Sequence, residues 1–187
     1  MKKKVLGVVF IVILVVVGKY VYDVNINYNF KEITKNKVYK SGVIPPNKIE
    51  DYTKKYHIKS IIDLRFPGTT DTINNPEIPE ELLAEKKAVE NIDGVAYFNV
   101  GSHQVPSQET IDSFFEIMDD PDNYPVLIHC YHGAGRAHLF SAVYRMEYED
   151  ISNEDARNKT RFLLKGSSFD EGTPKGEFLK NYKKRAN

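Results

Sequence analysis

Pro125-Val-Leu-Ile-His-Cys-Tyr-His-Gly-Ala-Gly-Arg136 is the stretch on which the reading of this chain turns. Val126 to His129 has the apolar character of a buried strand. It runs into a turn carrying Gly133 and Gly135, and then into a helical run from Ala137 to Tyr148. A strand, a glycine-bearing turn and a helix in that order deliver Cys130 to a helix N-terminus. There, orphan amides and the helix dipole favour an anion, either a thiolate or a phosphate. Arg136 adds a planar donor fork suited to two phosphate oxygens. The same field is expected to activate the thiol.

Outward from this stretch, strands and helices alternate. Val38 to Ser41 and residues 58 to 64 read as strands, as does Val95 to Val100. Ile49, Tyr52 and Tyr56 recur at helical spacing after Pro45 and Pro46, and residues 82 to 90 are helical. Residues 66 to 79, with three prolines, read as a loop. Ser107 caps a helix whose apolar face is Ile111, Phe114, Phe115 and Met118 and which stops before Pro121. Ser152 caps another helix ending near Gly166, and Phe178 to Lys184 is a last one. The expected fold is α/β, a central and mostly parallel sheet flanked by helices, with an apolar N-terminal helix in front.

The 187 residues hold 26 basic and 26 acidic side chains, a formal charge of zero made of unlike parts. Residues 1 to 22 contain Lys2, Lys3, Lys4 and Lys19 and no acid, whereas the remaining 165 hold 22 basic and 26 acidic residues. An acidic body argues against nucleic acid as a partner. Val5 to Val17 is apolar throughout apart from Gly7, behind three lysines, which is the layout of a membrane anchor or signal segment. Counting on to Tyr22, residues 5 to 22 reach about 27 Å as helix, close to a bilayer core of about 30 Å. No alanine precedes Ala84 to form a small-residue cleavage site, so a retained anchor is preferred over a cleaved, secreted form. The lysines predict a cytoplasmic amino terminus, which puts the body outside the cytoplasm. Residues 23 to 36 read as a tether and 37 to 187 as one folded domain. One cysteine excludes an intramolecular disulfide. His129, His132 and His138 with Cys130 match no usual zinc-ligand spacing, so neither metal nor cofactor is expected.

The segment His129-Cys130 through Arg136 resembles the His-Cys-x5-Arg signature of the cysteine-dependent protein tyrosine phosphatase superfamily. Val38-Tyr-Lys-Ser-Gly42, Ile58-Lys-Ser-Ile-Ile-Asp-Leu-Arg65 and Val105-Pro-Ser107 extend the likeness, over residues 37 to 165, to the compact bacterial dual-specificity-type phosphatases. The resemblance implies a phosphomonoesterase in which Cys130 forms a phosphocysteine intermediate. Arg136 and the amides of Tyr131, His132, Gly133, Ala134, Gly135 and Arg136 bind the phosphoryl oxygens, and His129 organises hydrogen bonds beneath the loop. Tyr131 and His132 line the rim, and Asp63 and Arg65 orient nearby loops.

Two positions depart from the family pattern. Ala137 stands where the family usually has Ser or Thr. Between Asp93 and Glu109 no acid is available as the usual aspartate, so His103, beside Ser102, is the candidate proton donor, with Asp71 or Asp93 as alternatives. General acid catalysis contributes about 10²- to 10⁴-fold, so its loss favours aryl over alkyl phosphates. Phosphotyrosine protein is therefore the expected substrate, with phosphoinositides or inositol phosphates as the alternative. A phosphate-binding pseudophosphatase is a further alternative, while sulfur transfer fits the glycine pattern poorly. The tail residues Lys183, Lys184 and Arg185 read as a solvated helix end.

Overall fold

The computed structural model describes residues 2–66, 78–160 and 167–185, with the backbone alone for residues 2–6 and 8. Among these residues the chain forms helix α1 (Lys2–Asn25), strands β1 (Lys31–Thr34) and β2 (Val38–Ser41), α2 (Pro46–Tyr56), β3 (Ser60–Asp63), α3 (Pro79–Glu90) and β4 (Ala96–Asn99). There follow α4 (Gln108–Met118), a short 3₁₀ turn, β5 (Val126–His129), α5 (Arg136–Tyr148), α6 (Asn153–Thr160) and α7 (Pro174–Asn181). The sheet order is β1-β2-β5-β3-β4, parallel except for β1. Period-two alternation divides the core in two. Val38, Ile62, Val126 and Ile128 pack with Phe114, Met118, Leu139, Phe140 and Val143 on the α4 and α5 side. Tyr39, Ile61 and Leu127 pack with Ile49, Ile58 and Val89 on the α2 and α3 side.

The register places the site. Ser41 and Asp63 both pair with His129, and Asp63 also pairs with Asn99, so the parallel strands end together. The segments that follow them converge on one edge, as is usual for ligand sites in open α/β sheets.

Several expectations change. The tether over 23 to 36 is structured: Lys31–Thr34 adds the antiparallel edge strand, and buried Phe30 stacks on Tyr39 and Tyr56 with ring centroids 5.4 and 4.4 Å apart. Asn and Tyr richness reads as linker composition, but here the tyrosines are packing surface. The last helix spans Pro174–Asn181, earlier than the expected 178 to 184, because Thr173 caps it on Gly176 N. Arg185 beyond it is pinned, with Nη1 and Nη2 2.8 and 2.9 Å from Asp119 and the guanidinium 3.8 Å over the Phe115 ring. Most of the 66 to 79 loop and the end of the helix starting after Ser152 lie outside the described residues.

The apolar leader lies within α1, and its residues from Val9 to Val17 are about half exposed or more. No helix among the described residues is long and apolar enough to cross a membrane, so the described structure lends no support to the span expected over 5 to 22. Past the apolar run, Lys19 bonds Asp23 at 2.9 Å.

If residues 28 to 34 belong to the folded domain, Phe30→Ala removes a buried aromatic and should destabilise it by about 3–5 kcal/mol in urea denaturation. A tether residue would leave the midpoint unchanged.

Candidate active site

The loop from Cys130 to Gly135 is held from outside by its carbonyls. Tyr131 O accepts from Val43 N (3.0 Å), His132 O from Asn29 Nδ2 (2.8 Å) and Gly133 O from Lys40 Nζ (2.8 Å). Ala134 O lies 2.7 Å from His138 Nδ1, which donates there in the Nδ1–H tautomer. A trans peptide points its N–H opposite its C=O. Four consecutive carbonyls turned outward therefore turn the amides of His132, Gly133, Ala134 and Gly135 inward, forming an anion-binding nest. Gly133 has φ +67, and a Cβ there would lie 2.3 Å from Gly42 N, so only glycine lets the loop close against the end of β2. α5 starts on the nest with Gly135 at its N-cap and no side-chain cap, leaving its dipole directed at the same point.

Cys130 follows β5 directly and is buried, packed among core residues. Arg136, also buried, donates from Nη1 to Leu64 O (2.8 Å) and Ser102 O (3.0 Å), the backbone just beyond β3 and β4. Its fork is thereby fixed beside the nest. Tyr131 and the exposed His132 meet edge to face at 4.7 Å on the rim.

Beneath the loop lies a buried charge network. Arg65 Nε and Nη2 bond Asp63 at 2.7 to 3.1 Å, and Nη2 also reaches Glu85. Tyr97 donates to Asp63 Oδ2 at 2.6 Å, and His129 Nε2 lies 2.9 Å from Glu85 Oε1 and 3.6 Å from Asp63 Oδ1. Burial alone would depress the His129 pKa. The carboxylates of Glu85 and Asp63 outweigh it and raise the group above 6.5. Burial pushes Asp63 the other way, but His129, Arg65 and Tyr97 hold its carboxyl below 3.8. Two cations thus balance two anions. Asp63, Glu85 and His129 also have the mutual spacing of a metal triad. Arg65 already bridges both carboxylates, so the donor set does not suit a divalent ion. Glu85 was missed in the sequence; its position between Leu82 and Val89 on the buried face of α3 was the available signal.

The proton-donor candidates fare unevenly. His103 is exposed, its ring 4.7 Å from Phe66 on the loop after β4, and Ser102 is buried with its hydroxyl donating to His103 O. Asp93 is corrected: it sits in the turn before β4, lining a cavity with Glu50, His57 and Asn91 at the strands' opposite end. Asp71 lies outside the described residues. Beside the loop the structure adds Lys175, the second residue of α7. Its Nζ bonds Gln104 Oε1 at 2.9 Å, and the two atoms lie 3.4 and 3.3 Å from where a Cβ on Gly135 would be. Burial lowers the Lys175 pKa, Cys130 opposes that and Arg136 adds to it, so the ammonium senses both groups of the loop.

A thiol at the base of an amide nest, closed by an anchored arginine, defines a cysteine-dependent phosphatase of the tyrosine and dual-specificity class. The chain belongs to the family described as "DSP-PTPase phosphatase fused to NAD+ Kinase", which matches residues 21–173. No curated protein matches significantly. Among solved structures it is similar to the catalytic core of the PP-IP phosphatase SIW14 from S. cerevisiae, with 20% identity, 83% of this chain and 85% of that one covered, and a TM-score of 0.59. TpbA of P. aeruginosa gives 14% identity, 84% and 86% coverage and a TM-score of 0.60. A putative phosphatase of Shewanella putrefaciens gives 18%, 81%, 88% and 0.56. At these identities the likeness is one of fold.

Glu85→Gln removes one partner from the buried network and should cost about 3–5 kcal/mol. In the parent the His129 contribution is whole below pH 6.5 and fades as pH rises through the raised folded value. In the variant that loss moves to lower pH, which denaturation at a series of pH values measures. A stability profile identical to the parent's would remove the network from this role.

Proposed function

We propose that this chain hydrolyses phosphomonoesters through Cys130, most readily the aryl phosphate of phosphotyrosine in a protein. The observation that carries the reading is the nest of inward amides directly after the thiol. The Cys130 thiolate attacks phosphorus and the P–O bond to the alcohol breaks. The leaving oxygen takes a proton, and Arg136 with the amides of residues 131 to 136 holds the three remaining oxygens, where charge concentrates in transfer. Water then cleaves the S–P bond, releasing phosphate and the thiolate. His129 positions Cys130 from below. No acidic residue occupies residues 94 to 108, which favours leaving groups needing little protonation, with His103 as donor. TpbA has a structure in complex with phosphotyrosine, which supports the same substrate class here.

Lys175 favours a second reading, a phosphoinositide or inositol phosphate. An ammonium at the rim suits a substrate carrying another anionic group, and the PP-IP activity named for SIW14 supports it. For α1 we propose membrane anchoring with the catalytic domain outside the cytoplasm. Lys2 to Lys4 and the exposed apolar residues 9 to 17 support this. Proteolysis of intact cells should degrade the domain, and its survival would reject that topology.

Cys130→Ser should abolish hydrolysis of an aryl phosphate in chelator-treated buffer while phosphate still binds. Binding without turnover by the parent would make it a pseudophosphatase. Lys175→Gln should raise KM for an inositol polyphosphate by roughly 5- to 10-fold, as expected for one charge-assisted contact. It should leave KM for a phosphotyrosine peptide within about twofold. Equal effects on both would reject the inositol reading.

A further inference from the structure

Two lysines face one another at the sheet's antiparallel edge. Lys31 of β1 is the register partner of Lys40 of β2, and like charges directly opposite weaken such a pair. Lys40 is 2% exposed. Arg145 of α5 and Lys159 of α6 close over the same place, and with His138 these side chains line a cavity of about 180 Å³. Glu32 also borders it, but its carboxylate accepts from Asn36 N at 2.7 Å and bonds Tyr39, which packs on the other face of the sheet. Glu149, 3.4 Å from Arg145 Nε and bonded to the Thr34 hydroxyl, balances one of the four cations. The concentration of charge is visible in its effects. Burial and then Lys31 lower Lys40 to about 8, and burial, Lys40, Lys31 and Arg145 together take His138 to about 3. The −4 body thus contains a local basic cavity.

We propose that this cavity is a second oxyanion site, taking one phosphate-sized tetrahedral group on Lys31, Lys40, Arg145 and Lys159. Its volume is below the roughly 300–1,000 Å³ of pockets for drug-sized ligands, so it suits a single anionic group. It lies behind the catalytic loop, close enough for Lys40 to sense Cys130. Lys40 and His138 grip the outward-turned carbonyls of Gly133 and Ala134, so the cavity lies on the opposite side of the phosphate loop from the nest. An anion there neutralises the Lys31–Lys40 repulsion and firms the Lys40 hold on Gly133. Inorganic phosphate, the reaction's own product, and the phosphate of a larger molecule share this chemistry.

The test is isothermal titration of the full chain with inorganic phosphate, in parallel with phenylphosphonate as a tailed mimic. Two equivalents of phosphate are expected for the parent and one for Lys31→Gln/Lys159→Gln, two exposed positions outside the catalytic machinery. In phosphate-free buffer this variant's kcat/KM on an aryl phosphate should stay within about twofold. Phenylphosphonate at one site assigns the cavity to the free ion, and at both sites to a larger phosphorylated molecule. Should the double variant fold poorly, Lys159→Glu alone should weaken the second site at least about tenfold, as charge reversal of a bonding cation predicts. One equivalent in the parent, or two in the double variant, would overturn the proposal. Loss of turnover in the parent with two equivalents intact would instead count against the catalytic reading alone.

Discussion

The outward pull on four consecutive loop carbonyls is the constraint from which the chemistry of this protein follows. Peptide planarity makes each carbonyl and the next amide antiparallel, so whatever fixes the carbonyls outside fixes the amides inside. The donors come from four separate places: the loop after β2, the segment before β1, β2 itself and the first turn of α5. The anion site is therefore preorganised by three long-range contacts and one within the first turn of α5, and its donors need little rearrangement when charge develops on phosphorus.

The second constraint is the charge balance beneath it. Isolated charges in such a place would be prohibitively unfavourable, but Asp63, Arg65, Glu85 and His129 pair with groups of opposite charge at close range. His129 precedes Cys130 directly, so fixing its ring fixes the point where β5 ends and the loop begins. The network reaches across the sheet from α3 to β5, tying the helix layer on one face to the residue that positions the nucleophile.

Much of this was legible in residue order. The strand, glycine turn and helix around Cys130 appear where the pattern put them, because a buried strand and a helix with an apolar face are local properties of spacing. Ser107 caps α4 as its side chain predicts, accepting from Thr110 N. The misses share one cause, which is that composition does not reveal partners. Residues 28 to 34 look like a linker until Tyr39, Tyr52 and Tyr56 are brought against Phe30. Arg185 looks like a solvated end until Asp119 and Phe115 lie beside it. Asp93 was a candidate acid by proximity in sequence to β4, but a strand's two ends lie on opposite edges of the sheet.

By itself, the sequence determined that one thiol follows a buried strand, that an arginine lies six residues on, and that no acid occupies the loop before α4. These are covalent facts, and the helix dipole and amide chemistry act on them locally. Only tertiary structure decided which groups hold the loop open, that Glu85 pairs with His129, that Lys175 reaches Gln104 from a helix some seventy residues distant, and that Lys31 confronts Lys40. Most of those are contacts between segments far apart in the chain, and the Lys31–Lys40 pairing depends on the register of two neighbouring strands. They arise from strand register and helix packing, which residue spacing along a single element does not encode.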